Sequence, residues 1–284
     1  VPSFAVNKAC GSGLKAVALG AQSIQCGEAE VVAAGGMENM TMAPYVLAKA
    51  RFGYRMGPES IIDSMIADGL SCPINNVHMG ITAENVAEKY GISREAQDEF
   101  AAASQHKTGE AQSSGAFDEE IFGVELVQKK GDPIVFDKDE HPRPDTTVER
   151  LARLRPAFKK EGSVTAGNAS GINDGAAAVV VTSQERAKAE SLEPLALIRG
   201  SASAGVDPAI MGMGPWPACE KVLGNTGLSK DDIGLWELNE AFAAQSLGVL
   251  EELKLDRSKV NVNGGAVALG HPIGASGVRV LVTL

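Results

Sequence analysis

The pattern that most constrains this chain lies at its start. A short apolar run, Ser3–Ala9, leads into the turn Cys10-Gly11-Ser12-Gly13. Beyond it, Leu14, Val17, Ala18, Ala21 and Ile24 recur at helical spacing, and Glu30–Ala34 reads as a second strand ending in Gly35-Gly36. Strand, helix, strand predicts a βαβ unit, and such units imply a parallel sheet covered by helices. A similar pattern follows Pro194: strand (Leu195–Gly200), helix (near Ala218–Leu223), strand (Leu235–Leu238), helix (Ala241–Leu253) and strand (Val260–Asn263). Residues from about 39 to 160 differ in character, with Met- and Pro-rich loops, a long helix after the Ser93 cap and a proline-broken stretch at Asp132–Asp145. This predicts a large insertion, after which Gly175–Thr182 returns to a buried-strand pattern.

At 284 residues the chain is long enough for two domains or one large one, with a core that needs no disulfide or metal staple. Its net charge of −10 disfavours a general nucleic-acid or anionic-membrane binder. The longest strictly apolar run, Ala176–Val181, is too short to span a bilayer. Within this acidic chain the window Lys138–Lys160 is locally basic. It is either a solvated face or the place that draws an anionic ligand. Cys10, Cys26, Cys72 and Cys219 are scattered with no Cys-x-x-Cys pair, so neither a zinc site nor a disulfide framework is expected, and a reducing cytosol fits. The first residues carry no charged leader and the last stop in an apolar stretch, which reads as an internal portion of a longer protein.

Three residues could carry chemistry. Cys10 sits where a strand gives way to a helix, followed by Gly11 and Gly13, glycines that permit a tight turn and a close substrate approach. Amides at a helix N-terminus favour a thiolate there; the bland alternative is a buried structural cysteine. His271 lies in the run from Asn263 to Gly277, where glycines replace bulky side chains and Pro272 fixes the backbone beside the ring. A histidine of near-neutral pKa is a natural partner for a thiol, although a phosphate-cradling glycine loop with a passenger histidine fits the same letters. Asn239 ends one strand and opens a helix, either as a simple N-cap or as an amide pointing into a ligand crevice. A second polar glycine loop spans Gly167–Gly175, and His78-Met79-Gly80 precedes a helix and suits core packing or pocket lining.

Taken together, Asn7-Lys8-Ala9-Cys10-Gly11-Ser12-Gly13, Asn239-Glu240-Ala241-Phe242-Ala243-Ala244-Gln245 and Gly264-Gly265-Ala266-Val267-Ala268-Leu269-Gly270-His271-Pro272-Ile273-Gly274-Ala275-Ser276-Gly277 resemble the three active-site loops of the thiolase family. The likeness runs over essentially the whole chain. It implies an α/β, five-layered α-β-α-β-α fold of two related halves with an inserted loop domain. The N-terminal half would comprise residues 1–38 and 171–192, the insertion 39–170, and the C-terminal half 193–284. It implies an acyltransferase that forms acetoacetyl-CoA and CoA from two acetyl-CoA molecules, or runs the reverse thiolysis, with coenzyme A thioesters as substrates and no separate cofactor or metal.

Carried over by resemblance, Cys10 takes the acyl group, His271 takes the Cys10 proton, and Asn239 holds a water against the enolate oxygen. Arg143 falls at an adenine-contacting position, Phe158 and Ser170 at pantetheine-contacting positions, and His78, Met79 and Met211 in the acyl pocket, with Phe242 also contacting substrate. The His78-Met79 pair points to the short-chain subgroup rather than to degradative thiolases of longer 3-ketoacyl-CoA. The family's second catalytic cysteine, in a Cys-x-Gly motif, is not among these residues, and Cys26, Cys72 and Cys219 lack its context. A cytoplasmic homo-oligomer, dimer or tetramer, is expected, with Phe52, Tyr54 and Met56 where a tetramer-forming loop would lie. A papain-like hydrolase does not fit the residues after Cys10. A non-catalytic CoA- or lipid-binding relative would be expected to lose Cys10 or His271.

Overall fold

The computed structural model describes all 284 residues. The helices are α1 (Ser12–Gln25), α2 (Met79–Tyr90), α3 (Arg94–Ser114), α4 (Val148–Leu151), α5 (Gln184–Ala189), α6 (Pro215–Thr226), α7 (Ala243–Leu253), α8 (Ala266–Leu269) and α9 (Ile273–Thr283). The strands are β1 (Val31–Glu38), β2 (Tyr45–Val46), β3 (Ile62–Asp63), β4 (Ser71–Cys72), β5 (Val77–His78), β6 (Val124–Leu126), β7 (Ile134–Phe136) and β8 (Gly175–Thr182).

β1 and β8 form an antiparallel ladder running from Val31 opposite Thr182 to Glu38 opposite Gly175. Alternate residues of β8 turn to solvent, as a strand with one covered face requires. The covered face packs on α1 and α9, with Val17, Ala34 and Val278 buried at the centre and Val32, Val179 and Val181 around them. The two helices cross almost in backbone contact. A Cβ on Gly13 would lie 2.8 Å from the Val278 amide nitrogen, and one on Gly277 would lie 2.5 Å from that of Leu14. Gly13 thus serves helix packing rather than the substrate approach expected from the sequence.

A larger core joins the middle of the chain to its later part. Val86 of α2 packs with Met213, Leu238, Val249, Leu250, Leu253 and Val260. Every residue of Ala243–Leu250 is buried, so α7 runs through the interior instead of lying on a surface. α3 reaches both α7 and α8, with Ala101, Ala102, Leu151 and Val267 forming a further cluster.

Several expected strands do not form. Ser3–Ala9 and Leu195–Gly200 pair with no other segment. Leu235–Leu238 and Val260–Asn263 share one isolated parallel bridge, Trp236 to Val260. The expected parallel βαβ pairing is therefore absent, and β1 instead pairs antiparallel with β8. Apolar periodicity reports which residues need burial; it does not supply the neighbouring backbone that makes a ladder. A groove of about 1240 Å³ runs between Val1–Asn7 and β1. No helix is long and apolar enough to cross a membrane.

Candidate active site

Cys10 lies in a single 3₁₀ turn, Ala9–Gly11, immediately before α1. Ala9 takes φ +45°, a left-handed conformation uncommon for a residue with a Cβ. Ser12 closes this turn: its hydroxyl donates to the Ala9 carbonyl at 2.7 Å and accepts from the Lys8 amide at 2.8 Å. The Lys8 ammonium is engaged elsewhere, donating to the Ser203 hydroxyl at 2.5 Å.

His271 is buried, and its Nε2 lies 3.1 Å from Cys10 Sγ. Nδ1 lies 2.5 Å from Ser276 Oγ, and that hydroxyl is also 3.0 Å from the Pro272 carbonyl. A serine has one proton to donate, and the carbonyl can only accept it. Ser276 therefore accepts from Nδ1–H, which leaves the lone pair of His271 on Nε2, facing the thiol. Asn173 Oδ1 accepts the His271 backbone N–H at 3.2 Å, and Gly270 turns the chain into the histidine at φ +98°.

Asn239 joins the pair, with Nδ2 3.4 Å from each ring nitrogen. Its Oδ1 is buried without a protein partner. The next residue anchors it: Glu240 accepts from Ser104 Oγ at 2.7 Å, Asn261 Nδ2 at 2.7 Å and the Val267 amide at 3.2 Å. That single carboxylate ties α3 and the glycine loop before His271 to the segment carrying Asn239.

The electrostatics correct one expectation. Burial pushes the Cys10 thiol up to about 11, overriding the backbone hydrogen bond that favours the thiolate, and the Glu38 carboxylate acts in the same direction as burial. Burial likewise lowers His271 to about 4, with a smaller push from Arg279, which sits 3.6 Å from Glu237. The resting pair is thus neutral thiol and neutral imidazole.

The proposed substrate-contacting residues divide into a cluster and scattered members. His78 caps α2, accepting the Gly80 amide on Nδ1 at 3.0 Å, and stacks on Phe158 at 4.8 Å between ring centroids. Burial pushes the His78 imidazole down, favouring its neutral form. Phe158 meets Phe242 edge-on at 6.2 Å. Ser170 donates through both its amide and its hydroxyl to the Ala241 carbonyl, fastening the Gly167–Gly175 loop to the Asn239 segment. Met79 begins α2, and Met211 lies part-exposed in a 3₁₀ segment packed on α2 and α7. Arg143 is exposed; its backbone amide donates to Gln105 Oε1 and its carbonyl accepts from the Thr146 amide, while its guanidinium makes no hydrogen bond. Sequence reading missed the roles of Ser276, Asn173 and Glu38. The first two stand inside the quoted glycine-rich loops, where polar residues between glycines were a usable signal.

The chain matches the family description "Thiolase, N-terminal domain" over residues 1–185 and "Thiolase, C-terminal domain" over residues 192–284. It is 61% identical to an acetyl-CoA acetyltransferase of Pseudomonas aeruginosa over all of its own length and 72% of that relative's. The acetyl-CoA acetyltransferase structure from Bacillus anthracis superposes with a TM-score of 0.95 at 50% identity, covering 99% of this chain and 71% of that one. Human mitochondrial 3-ketoacyl-CoA thiolase in complex with CoA gives a TM-score of 0.94 at 46% identity, covering 100% of this chain and 70% of that one. The chain has the thiolase fold and belongs to the thiolase family.

Proposed function

We propose that this thiolase transfers acetyl groups between coenzyme A thioesters, condensing two acetyl-CoA into acetoacetyl-CoA and CoA, and catalysing the reverse thiolysis. The observation that carries this reading is the 3.1 Å contact between Cys10 Sγ and a His271 Nε2 left unprotonated by the Ser276 hydrogen bond. Because the resting thiol holds its proton, transfer to Nε2 accompanies attack. The Sγ–carbon bond forms, the bond from that carbon to the CoA sulfur breaks, and the imidazolium returns the proton to the departing CoA thiolate.

In the second half-reaction the α-carbon of another acetyl-CoA gives up a proton and attacks the acyl-cysteine carbonyl. The bond from that carbonyl to Cys10 sulfur breaks, and the departing sulfur takes up one proton, so that the free thiol is restored. The carbanion is tolerable only as an enolate whose oxygen meets fixed donors. Asn239, beside His271 and with a partnerless Oδ1, suits the holding of a water there. None of Cys26 at the end of α1, Cys72 in β4 or Cys219 in α6 is hydrogen-bonded to the pair, so none is assigned the α-carbon proton.

His78, Phe158 and Phe242 form one aromatic group, which supports their contacting the acyl and pantetheine portions with Met79, Met211 and Ser170 nearby in the fold. Arg143, exposed and without an ion pair, is available to an adenine nucleotide. The reading keeps the insertion at 39–170 within the N-terminal half of residues 1–38 and 171–192, needs no cofactor, and places the enzyme in the cytoplasm as a dimer or tetramer. Phe52 and Met56, at 89% and 98% exposure, support a subunit contact there. Acetyl specificity rests on the acetyl-transferring relatives. Comparing turnover of acetoacetyl-CoA with that of 3-ketodecanoyl-CoA tests it: the short substrate is expected to be preferred, and preference for the long one would assign the enzyme to degradative chemistry.

A further inference from the structure

α9 begins directly after the catalytic loop, and its N-cap residue, Pro272, offers no side-chain acceptor to the first-turn amides. The acceptor comes from a distant element. Glu38, the last residue of β1, takes the Gly274 N–H on Oε2 at 3.0 Å. The two backbones touch at this point: a Cβ on Gly36 would lie 2.0 Å from the Gly274 carbonyl oxygen, and one on Gly274 would lie 2.6 Å from the Met37 carbonyl oxygen. The end of β1 is therefore seated on the first turn of the helix, a few residues beyond His271, with a carboxylate at the contact.

We propose that Glu38 is a positioning residue for the Cys10–His271 pair, capping α9 so that the histidine is held at contact distance from the sulfur. Its charge has a second consequence. Among the titratable and charged groups around Cys10, the Glu38 carboxylate at the end of β1 disfavours the thiolate, the His271 ring lies against the sulfur, the Lys8 ammonium is held by Ser203, and Arg279 of α9 favours the neutral form of the ring. With the sulfur buried and a carboxylate adding to the effect of burial, the thiol keeps its proton until a thioester is attacked. Glu38 thus restrains adventitious alkylation and oxidation of the resting nucleophile. The proposal rests on reading Cys10 as the nucleophile and His271 as its base.

The test is the pH dependence of Cys10 alkylation by iodoacetamide, followed by peptide mass spectrometry on the whole 284-residue chain. Glu38→Gln keeps an oxygen for the Gly274 N–H and removes the charge, so its alkylation midpoint is expected at lower pH than wild type, with the melting temperature little changed. Glu38→Ala loses the cap as well. It is expected to share the lower midpoint and to take acetyl from acetyl-CoA about tenfold more slowly, the scale of one lost hydrogen bond to a charged group. Midpoints unchanged from wild type in both variants, or acetyl transfer in Glu38→Ala at the wild-type rate, would overturn the proposal. Alkylation uses no coenzyme A, so that failure is distinguishable from failure of the acyl-transfer reading.

Discussion

Ser276 has one hydroxyl proton, and its destination decides what His271 can do. Given to the Pro272 carbonyl, it leaves the serine oxygen to accept Nδ1–H and fixes the imidazole as the tautomer that can take a proton from sulfur. Ser276→Ala frees the ring to adopt either tautomer. Cys10 acetylation is expected to slow by roughly ten- to a hundredfold, part of what a positioned base contributes. Quenched-flow mass spectrometry checks this. In the wild type the acetylation rate should show no fall near the usual histidine value of 6.5, because burial holds His271 neutral down to about 4. The sequence made Cys10 and His271 legible because glycines around a reactive side chain leave it little to pack against. It misjudged the thiol's charge, since the helix-terminus argument is local and burial is set by the whole fold. Glu38 carried no local signal either: its partner is 236 residues away.

Among the elements, helices were legible, while of the expected strands only Glu30–Ala34 and Gly175–Thr182 formed, as β1 and β8. The periodic run from Leu14 became α1, and Ala241–Leu253 became α7 with its start moved to Ala243. A helix closes its own hydrogen bonds, so its sequence contains most of what it needs. A strand depends on another segment, and neither Ser3–Ala9 nor Leu195–Gly200 finds one. The α1–α9 crossing depends on glycines in the same way that the ladder depends on a neighbour. Gly13→Ala places a methyl 2.8 Å from one backbone nitrogen and 3.0 Å from the Gly274 carbonyl oxygen, neither of which can rotate aside. Thermal unfolding is expected to show a loss of about 1–3 kcal/mol. An unchanged melting temperature would mean that the helices separate there without cost.

On the scale of the molecule, the site is a convergence of segments far apart in sequence. Cys10 comes from the turn before α1, Asn173 from the loop before β8, Asn239 from the segment before α7 and His271 from the turn before α9. α2 and α3, from within the predicted insertion, hold the 163–168 segment that leads into the Asn173 loop. Glu84 accepts the Ser163 and Val164 amides, and Asn168 donates to Asp98 at 2.9 Å. The sequence signalled that three motifs belong together only through family resemblance, because spacing along the chain says nothing about which turns meet. What the convergence is for can be asked directly. The whole chain is incubated with acetyl-CoA, quenched in acid, and its Ala9–Lys15 tryptic peptide mapped by mass spectrometry. An acetyl group on Cys10 that disappears in His271→Ala is the predicted result. A bare Cys10 in the wild type, or acetylation that proceeds unchanged without the His271 imidazole, would contradict the account.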